Sequence, residues 1–347
     1  MSKAIQKITY YYSRIITELK HFFVKIGTYS NFFARCYYFL ISKSFERENR
    51  AVLCGKLISQ KCLRKRKLTE YAFRRNIHRL EKGLIMHEKK DVFALSYITE
   101  TVNTYIDLIQ NPVHDKNLKL WAEDVLSEYF KNIKTEGVIK DAKILFESNN
   151  IERDAKFVPF ERSKTINSNV NYYDFLVLCK QRVSTRVFKN KEVPRDMLEK
   201  AFEAALQSPS ACNRQPYEFF VYQNKESIQR LIKLPGGITG FDKGVPAMAF
   251  LIGDLSAFND ERDRHLIYLD GGIIAMTFML ALETLGLASC ALNMPAIRKN
   301  EKEVEKELKL PKHKSCIMAF IIGYPEEKSL IPYSQKKSIS TAVKFKS

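Results

Sequence analysis

Apolar positions follow two rhythms along this 347-residue chain, and the change falls near residue 170. Before it, apolar residues recur three or four apart, as at Leu118, Trp121, Val125 and Leu126, with few Gly or Pro between them. That spacing predicts helices. After it, helical stretches alternate with short apolar runs. Residues 218–222, 247–253 and 316–323 read as strands, and 247–253 lacks alternation, as a strand buried on both faces does. Helices are expected over 174–182, 197–207, 225–234 and 301–310. Pro194 stands where helices often begin, and Pro235-Gly236-Gly237 ends the third of them. Residues 266–288 are strongly apolar but carry Asp270, Gly271, Gly272 and Glu283. A membrane span needs about 20 mostly uncharged residues, so this stretch reads as a buried core helix. The prediction is an α+β chain, with helices on a small central sheet over 171–347. A mostly helical domain occupies 1–170, ending in a polar linker over 149–171.

The first segment carries Tyr10, Tyr11, Tyr12, Ile15, Ile16, Leu19, Phe22 and Phe23 on a broad face, with Lys and Arg interspersed. The pattern fits an interfacial amphipathic helix. It fits equally a helix packed on its own domain, and packing is the reading taken. Residues 80–84 read as a helix ending at Gly83 in a left-handed cap.

Charge sharpens the picture. The chain carries +18, and residues 1–90 hold 21 Lys/Arg against 6 Asp/Glu, a net of +15. A basic third points to an anionic membrane surface or a polyanion as partner of residues 1–90. A solvated basic helical surface explains the charge as well. Nucleic acid ranks last, because no nucleic-acid module is recognisable. Seven scattered Cys without a C-x-x-C pair argue for reduced thiols and a cytoplasmic location, peripheral to the membrane if the basic region binds it. Six His show no ligand spacing, so no structural metal is expected. No secretory signal is evident, because Lys3, Lys7, Arg14, Glu18 and Lys20 break any apolar core.

Two segments carry candidate chemistry. In Arg182-Val183-Ser184-Thr185-Arg186, two guanidinium groups flank a hydroxyl, and Arg binds phosphate through paired, charge-assisted hydrogen bonds. In the second, Pro209 fixes a turn and Pro216 an extended exit, with short side chains between them. Asn213 offers an amide to the edge of a ring. Together they suit a phosphate-bearing cofactor with a planar ring. A surface Arg pair and an ordinary helix-to-strand loop are the bland alternatives.

The order of elements over 172–347 resembles the flavin-dependent nitroreductase family. It runs basic-x-Ser-x-Arg, then Pro-Ser-x-x-Asn-x-Gln-Pro-aromatic, an apolar strand, Asp-Gly-Gly before a long apolar helix, and Ile-Ile-Gly-Tyr-Pro ending at Pro325. The resemblance implies a flavin mononucleotide (FMN) enzyme with NAD(P)H as electron donor. It also implies a homodimer with the flavin at the subunit interface. By the same resemblance, Arg182, Ser184 and Arg186 hold the phosphate and ribityl tail. Pro209, Ser210 and Asn213 approach the ring from the partner subunit, with Gln215 beside them. Asn293 belongs to the loop facing the ring, and Lys336 stands where the family commonly has Arg. No side chain need be catalytic, because flavin N5 carries the chemistry and the protein positions the rings. The acceptor is expected to be small and conjugated, such as a nitro compound or quinone. Tyr217 replaces the usual Trp, and Ala211 and Cys212 replace small polar residues. The segment after Asp254 is short, so a substrate-covering lid is expected from the N-terminal domain. Cys212 is read as a small filler. The segment 79–84 resembles longer members associated with bacterial surface-polysaccharide gene clusters. The competing reading is a membrane-surface or polyanion-binding protein that uses the flavin fold as a scaffold.

Overall fold

The computed structural model describes residues 3–88, 90–110, 115–149 and 156–346, with side chains from residue 11 onward. The N-terminal half is helical: α1 (Lys3–Gly27), α2 (Asn31–Cys36), α3 (Glu46–Arg64), α4 (Glu70–Leu84), α5 (Ile98–Gln110), α6 (Lys116–Asn132) and α7 (Val138–Glu147). Capping residues set several starts. The Thr69 hydroxyl accepts from Ala72 N–H at α4, and the Asp115 carboxylate from Asn117 N–H at α6. The apolar stripes of α4 to α7 close one core, in which Phe73, Ile77, Leu80, Tyr105, Leu126 and Phe146 are fully or almost fully buried.

The C-terminal half runs α8 (Tyr172–Gln181), α9 (Arg195–Ala205), β1 (Tyr217–Tyr222), α10 (Lys225–Leu231), β2 (Ala247–Asp254), α11 (Leu266–Thr284), β3 (Ala288–Asn293), α12 (Arg298–Glu307), β4 (Lys314–Gly323) and α13 (Ile339–Ala342). The four strands lie in the order β1-β2-β4-β3, antiparallel throughout. β2 is buried along its whole length, as its unbroken apolar run predicts. One layer of core lies between the sheet and α9 and α11, where Phe202 stacks on Phe278 at 4.5 Å. The architecture is α+β. β3 is the strand that periodicity missed: Ala288-Ser289-Cys290 is too weakly apolar to signal one, and pairing with β4 makes it so.

Three expectations change. First, Gly83 is not a cap. It lies inside α4, which ends at Leu84, and a Cβ there would stand 2.3 Å from the Phe93 ring. Close approach, not a left-handed turn, is what it serves. Second, the packed reading of the first helix fails. Tyr12, Ile15, Leu19 and Phe22 on α1, Phe32 on α2, and Phe39 and Leu40 just beyond it are all exposed. The side chain of Tyr10 lies outside the described residues. Third, α11 is a core helix on one face only. Ile267, Asp270, Ile274, Phe278 and Leu282 are buried, whereas Leu269, Ile273 and Met276 are exposed. It is part of the one helix, among the described residues, long and apolar enough to cross a membrane. The proposed linker 149–171 includes residues 150–155, which lie outside the described residues. Farther along it, Phe157 N–H donates to Asp124 Oδ2 at 3.0 Å.

The basic N-terminal third therefore divides in two. Residues 11–45 are largely exposed, whereas α3 and α4 pack on the sheet-bearing half. Arg47 donates to Ser315 Oγ at 2.5 Å, to Glu305 Oε1 at 3.2 Å and to the Lys314 carbonyl. Ala51 is buried with Leu255, Phe258 and Ile267. Tyr71 donates to Asp254 Oδ2 at 3.1 Å.

Candidate functional site

The predicted phosphate group assembles at the end of α8. Arg182 terminates that helix, and the chain then runs alongside β3. Ser184 forms a parallel bridge with Ser289, and Thr185 N–H donates to the Ser289 carbonyl at 3.1 Å. This holds the segment carrying Arg182, Ser184 and Arg186 against the edge of β3. Burial pushes the Cys290 thiol up, while Arg186, Ser184 and Arg182 act against it. Arg186 Nη1 donates to the Ser184 carbonyl at 3.3 Å, and its guanidinium stands 5.8 Å from the Phe241 ring centre. Glu283 faces the Gln181 amide, Arg182 and Val183, and burial raises its carboxyl above the ordinary range. Ser289 Oγ, on a residue 1% exposed, has no hydrogen-bond partner. Two guanidinium groups along this edge of β3 are a setting that a phosphate satisfies.

The predicted ring loop is built differently. Ser208 Oγ donates to Thr277 Oγ1 at 2.8 Å, anchoring the loop to α11. Ala211 N–H donates to both oxygens of Asp270, at 3.0 and 3.2 Å. Burial raises the Asp270 carboxyl, opposed by that N–H and by Arg214. Cys212, Asn213 and Gln215 all have φ between 52° and 54°. Left-handed conformations cost a non-glycine residue of order 1–3 kcal/mol each, and the surroundings must enforce them. Gln215 N–H donates to Ser210 Oγ at 3.0 Å, and Gln215 Nε2 donates to Asn213 Oδ1 at 2.9 Å. Pro209 is exposed at the head of the loop.

Asn293 ends β3, exposed, and its carbonyl accepts from Gly236 N–H at 2.8 Å. Pro235-Gly236-Gly237 thus joins the Asn293 loop, which sequence reasoning missed, having read it as a helix stop. Lys336 lies in an exposed C-terminal tail, with Leu330, Tyr333 and Phe345 at least nine-tenths exposed around it. Among the described residues nothing brings it to Arg182 and Arg186. The phosphate group and the ring loop sit toward opposite ends of α11, at Glu283 and Asp270. At 1.5 Å rise per residue that is about 20 Å.

The Nitroreductase family model matches residues 179–238 and 234–324. The sheet-bearing half of this chain thus matches that family, and a helical N-terminal extension precedes the matched residues. An FMN reductase [NAD(P)H] of Bacillus subtilis is 28% identical over 160 residues, 42% of this chain and 64% of that protein. A protein of Methanothermobacter thermautotrophicus bearing the name NADH dehydrogenase/NAD(P)H nitroreductase is 26% identical over 163 residues, 47% of this chain and 83% of its own length. Among solved structures, an FMN-dependent nitroreductase of Clostridium difficile is 27% identical, with a TM-score of 0.43 over 50% of this chain and 99% of that one.

Proposed function

We propose that this protein is an FMN-dependent NAD(P)H oxidoreductase acting on a small conjugated acceptor. The observation that carries the reading is the placement of Arg182, Ser184 and Arg186 along the edge of β3, where Ser184 bridges to Ser289. Arg182 and Arg186 neutralise the phosphate, and Ser184 donates to it. Bound FMN supplies the redox chemistry, a hydride taken from NAD(P)H at N5 and electrons handed on to the acceptor. Pro209, Ser210 and Asn213 present a flat, short-chained surface to the ring. Gln215 occupies Asn213 Oδ1, which leaves the Asn213 amide N–H groups for the ring. Asn293 and the Gly236 backbone border the same ring, and Lys336 reaches the phosphate of a partner copy through the exposed tail.

The separation of about 20 Å between the two groups supports a homodimer in which each flavin takes its phosphate contacts from one chain and its ring loop from the other. The exposed face of α11 and the apolar face of α8, with Tyr172, Tyr173 and Phe175 exposed, supply surface for that association. The test is an absorbance spectrum of the full-length protein loaded with FMN, before and after NADH or NADPH. The expected result is a bound flavin that bleaches with reduced nicotinamide. Protein that takes up no flavin overturns the reading.

A second reading concerns residues 11–45 and accompanies the first. This stretch exposes a run of aromatic and aliphatic side chains and carries five Lys/Arg against one Asp/Glu. That composition suits an anionic membrane surface, with the apolar face entering the headgroup boundary and the cations on the phosphates. The enzyme is then cytoplasmic and peripheral to the membrane.

A further inference from the structure

α4 packs against the 210–215 loop, and there Arg214 and Arg79 act electrostatically on Arg75. Arg214 is 5% exposed. Its Nη1 donates to the Ala211 carbonyl at 3.2 Å, its Nη2 lies 4.0 Å from Asp263, and its Nε has no acceptor. Arg75, on α4, also has a buried Nε with no acceptor. Arg79, one turn on, lies over the Tyr97 ring at 3.8 Å. The contrast with Arg74 is direct: that residue has carboxylate oxygens of Glu70 and Asp115 at 3.0 and 3.2 Å. Among the described residues, neither Arg75 nor Arg79 has a carboxylate within ion-pair distance. Glu100 faces both of them from α5, and Asp270 faces Arg214 from α11, without bonding to them. Burial, then repulsion from Arg214 and Arg79, holds the Arg75 guanidinium below its ordinary value, with Cys212 and Glu100 acting the other way.

Desolvated guanidinium groups without hydrogen-bonded counter-ions are costly. Their planar forks match carboxylate and phosphate oxygens. Two buried Nε–H groups at one contact call for an acceptor that the protein does not supply.

We propose that Arg75, Arg79 and Arg214 form an oxyanion-binding site for the carboxylate or phosphate group of a substrate reacting beside the 210–215 loop. The N-terminal extension provides two of the three arginines, so it defines substrate class as well as covering the loop. The substrate role rests on the flavin reading above. The anion site itself does not.

Two measurements separate these. Calorimetric titration of the full-length protein with inorganic phosphate, with FMN present to occupy the Arg182–Arg186 group, reads the site. Because Arg214 is buried, the variants are placed on α4: Arg75→Gln, and the more exposed Arg79→Gln, with Arg195→Gln on the outer face of α9 as control. Affinity is expected to fall about tenfold or more in Arg75→Gln, the loss of a hydrogen bond to a charged group, and to fall in Arg79→Gln, with the control unchanged. On the FMN-loaded enzyme, kcat/KM is compared for 4-nitrobenzoate and the neutral 4-nitrobenzyl alcohol, and for NADPH and NADH. Collapse of a preference for nitrobenzoate in the variants assigns the site to the acceptor. Collapse of a preference for NADPH assigns it to the donor's phosphate. Phosphate binding that is absent from the native protein, or equal in native protein and both variants, overturns the proposal. A flavin that never bleaches, alongside phosphate binding lost in the variants, leaves the anion site standing and removes the oxidoreductase reading.

Discussion

Arg182 and Arg186 lie on one segment along the β3 edge and both act on the Cys290 thiol, which is the basis for assigning them one ligand group. Replacing both with Ala is expected to weaken FMN binding at least a hundredfold, from the loss of two charge-assisted contacts. Flavin absorbance retained through gel filtration checks it, and full occupancy counts against the phosphate assignment. This pair was legible in the sequence because two Arg around a Ser are a chemical pattern in themselves. Ser289 was not, because a serine in a weak apolar run is anonymous until Ser184 comes alongside. Tyr217 gives a pH test. Burial, reinforced by Asp270 and opposed by Arg74, pushes its hydroxyl up to about 12. A tyrosine in the unfolded chain titrates near about 10. Its contribution to stability is therefore complete below the unfolded value and is lost as pH rises through the folded one. Urea midpoints measured from pH 9 to 12 are expected to fall, and less steeply in Tyr217→Phe. Tyr71, Tyr105 and Tyr129 are displaced upward by burial as well, so the phenylalanine variant keeps part of the slope.

At the scale of elements, periodicity located five helices of the sheet-bearing half, α8 to α12, and three of the strands, and missed β3, whose identity lies in its partner. The same limit applied to glycine. Gly83 looked like a helix stop, yet what it does depends on Phe93, ten residues away and across a loop. Gly55 makes the point more strongly. In sequence it is a helix weakness, costing roughly 1 kcal/mol against alanine. In the structure it lets α3 lie on the 255–257 turn, where a Cβ would stand 2.5 Å from the Leu255 carbonyl. Gly55→Ala is therefore expected to destabilise by about 1–3 kcal/mol through overpacking, despite its better helix propensity. Chemical denaturation measures it, and a stabilised variant means that the contact gives way.

Across the whole molecule, the basic N-terminal third is two devices. Deleting residues 1–90 would remove α3 and α4 with their contacts to Asp254, Ser315 and the 255–257 turn, and would test stability rather than binding. Deleting residues 1–45 is the informative cut. It is expected to leave flavin uptake intact and abolish sedimentation with phosphatidylserine vesicles at low salt, an association that weakens as salt screens it. Equal sedimentation with and without the segment counts against membrane docking. The outer face of α11 gives the matching test of assembly. Ile273→Asp is expected to halve the mass measured by light scattering and to release flavin together with the dimer. A dimeric, yellow variant places the interface elsewhere.

What the sequence determined by itself was chemistry of short range. Guanidinium groups beside a hydroxyl, a loop bracketed by prolines and a long apolar helix keep their character wherever the chain carries them, so the expectation of a phosphate-bearing cofactor and the α+β plan could be drawn directly. What only the tertiary structure decided was which distant groups meet. The bridge from Ser184 to Ser289, the strand at 288–293 and the meeting of Arg75 with Arg214 join residues from about 30 to more than 100 positions apart. No local pattern encodes such meetings, because they depend on how the packed elements share one core.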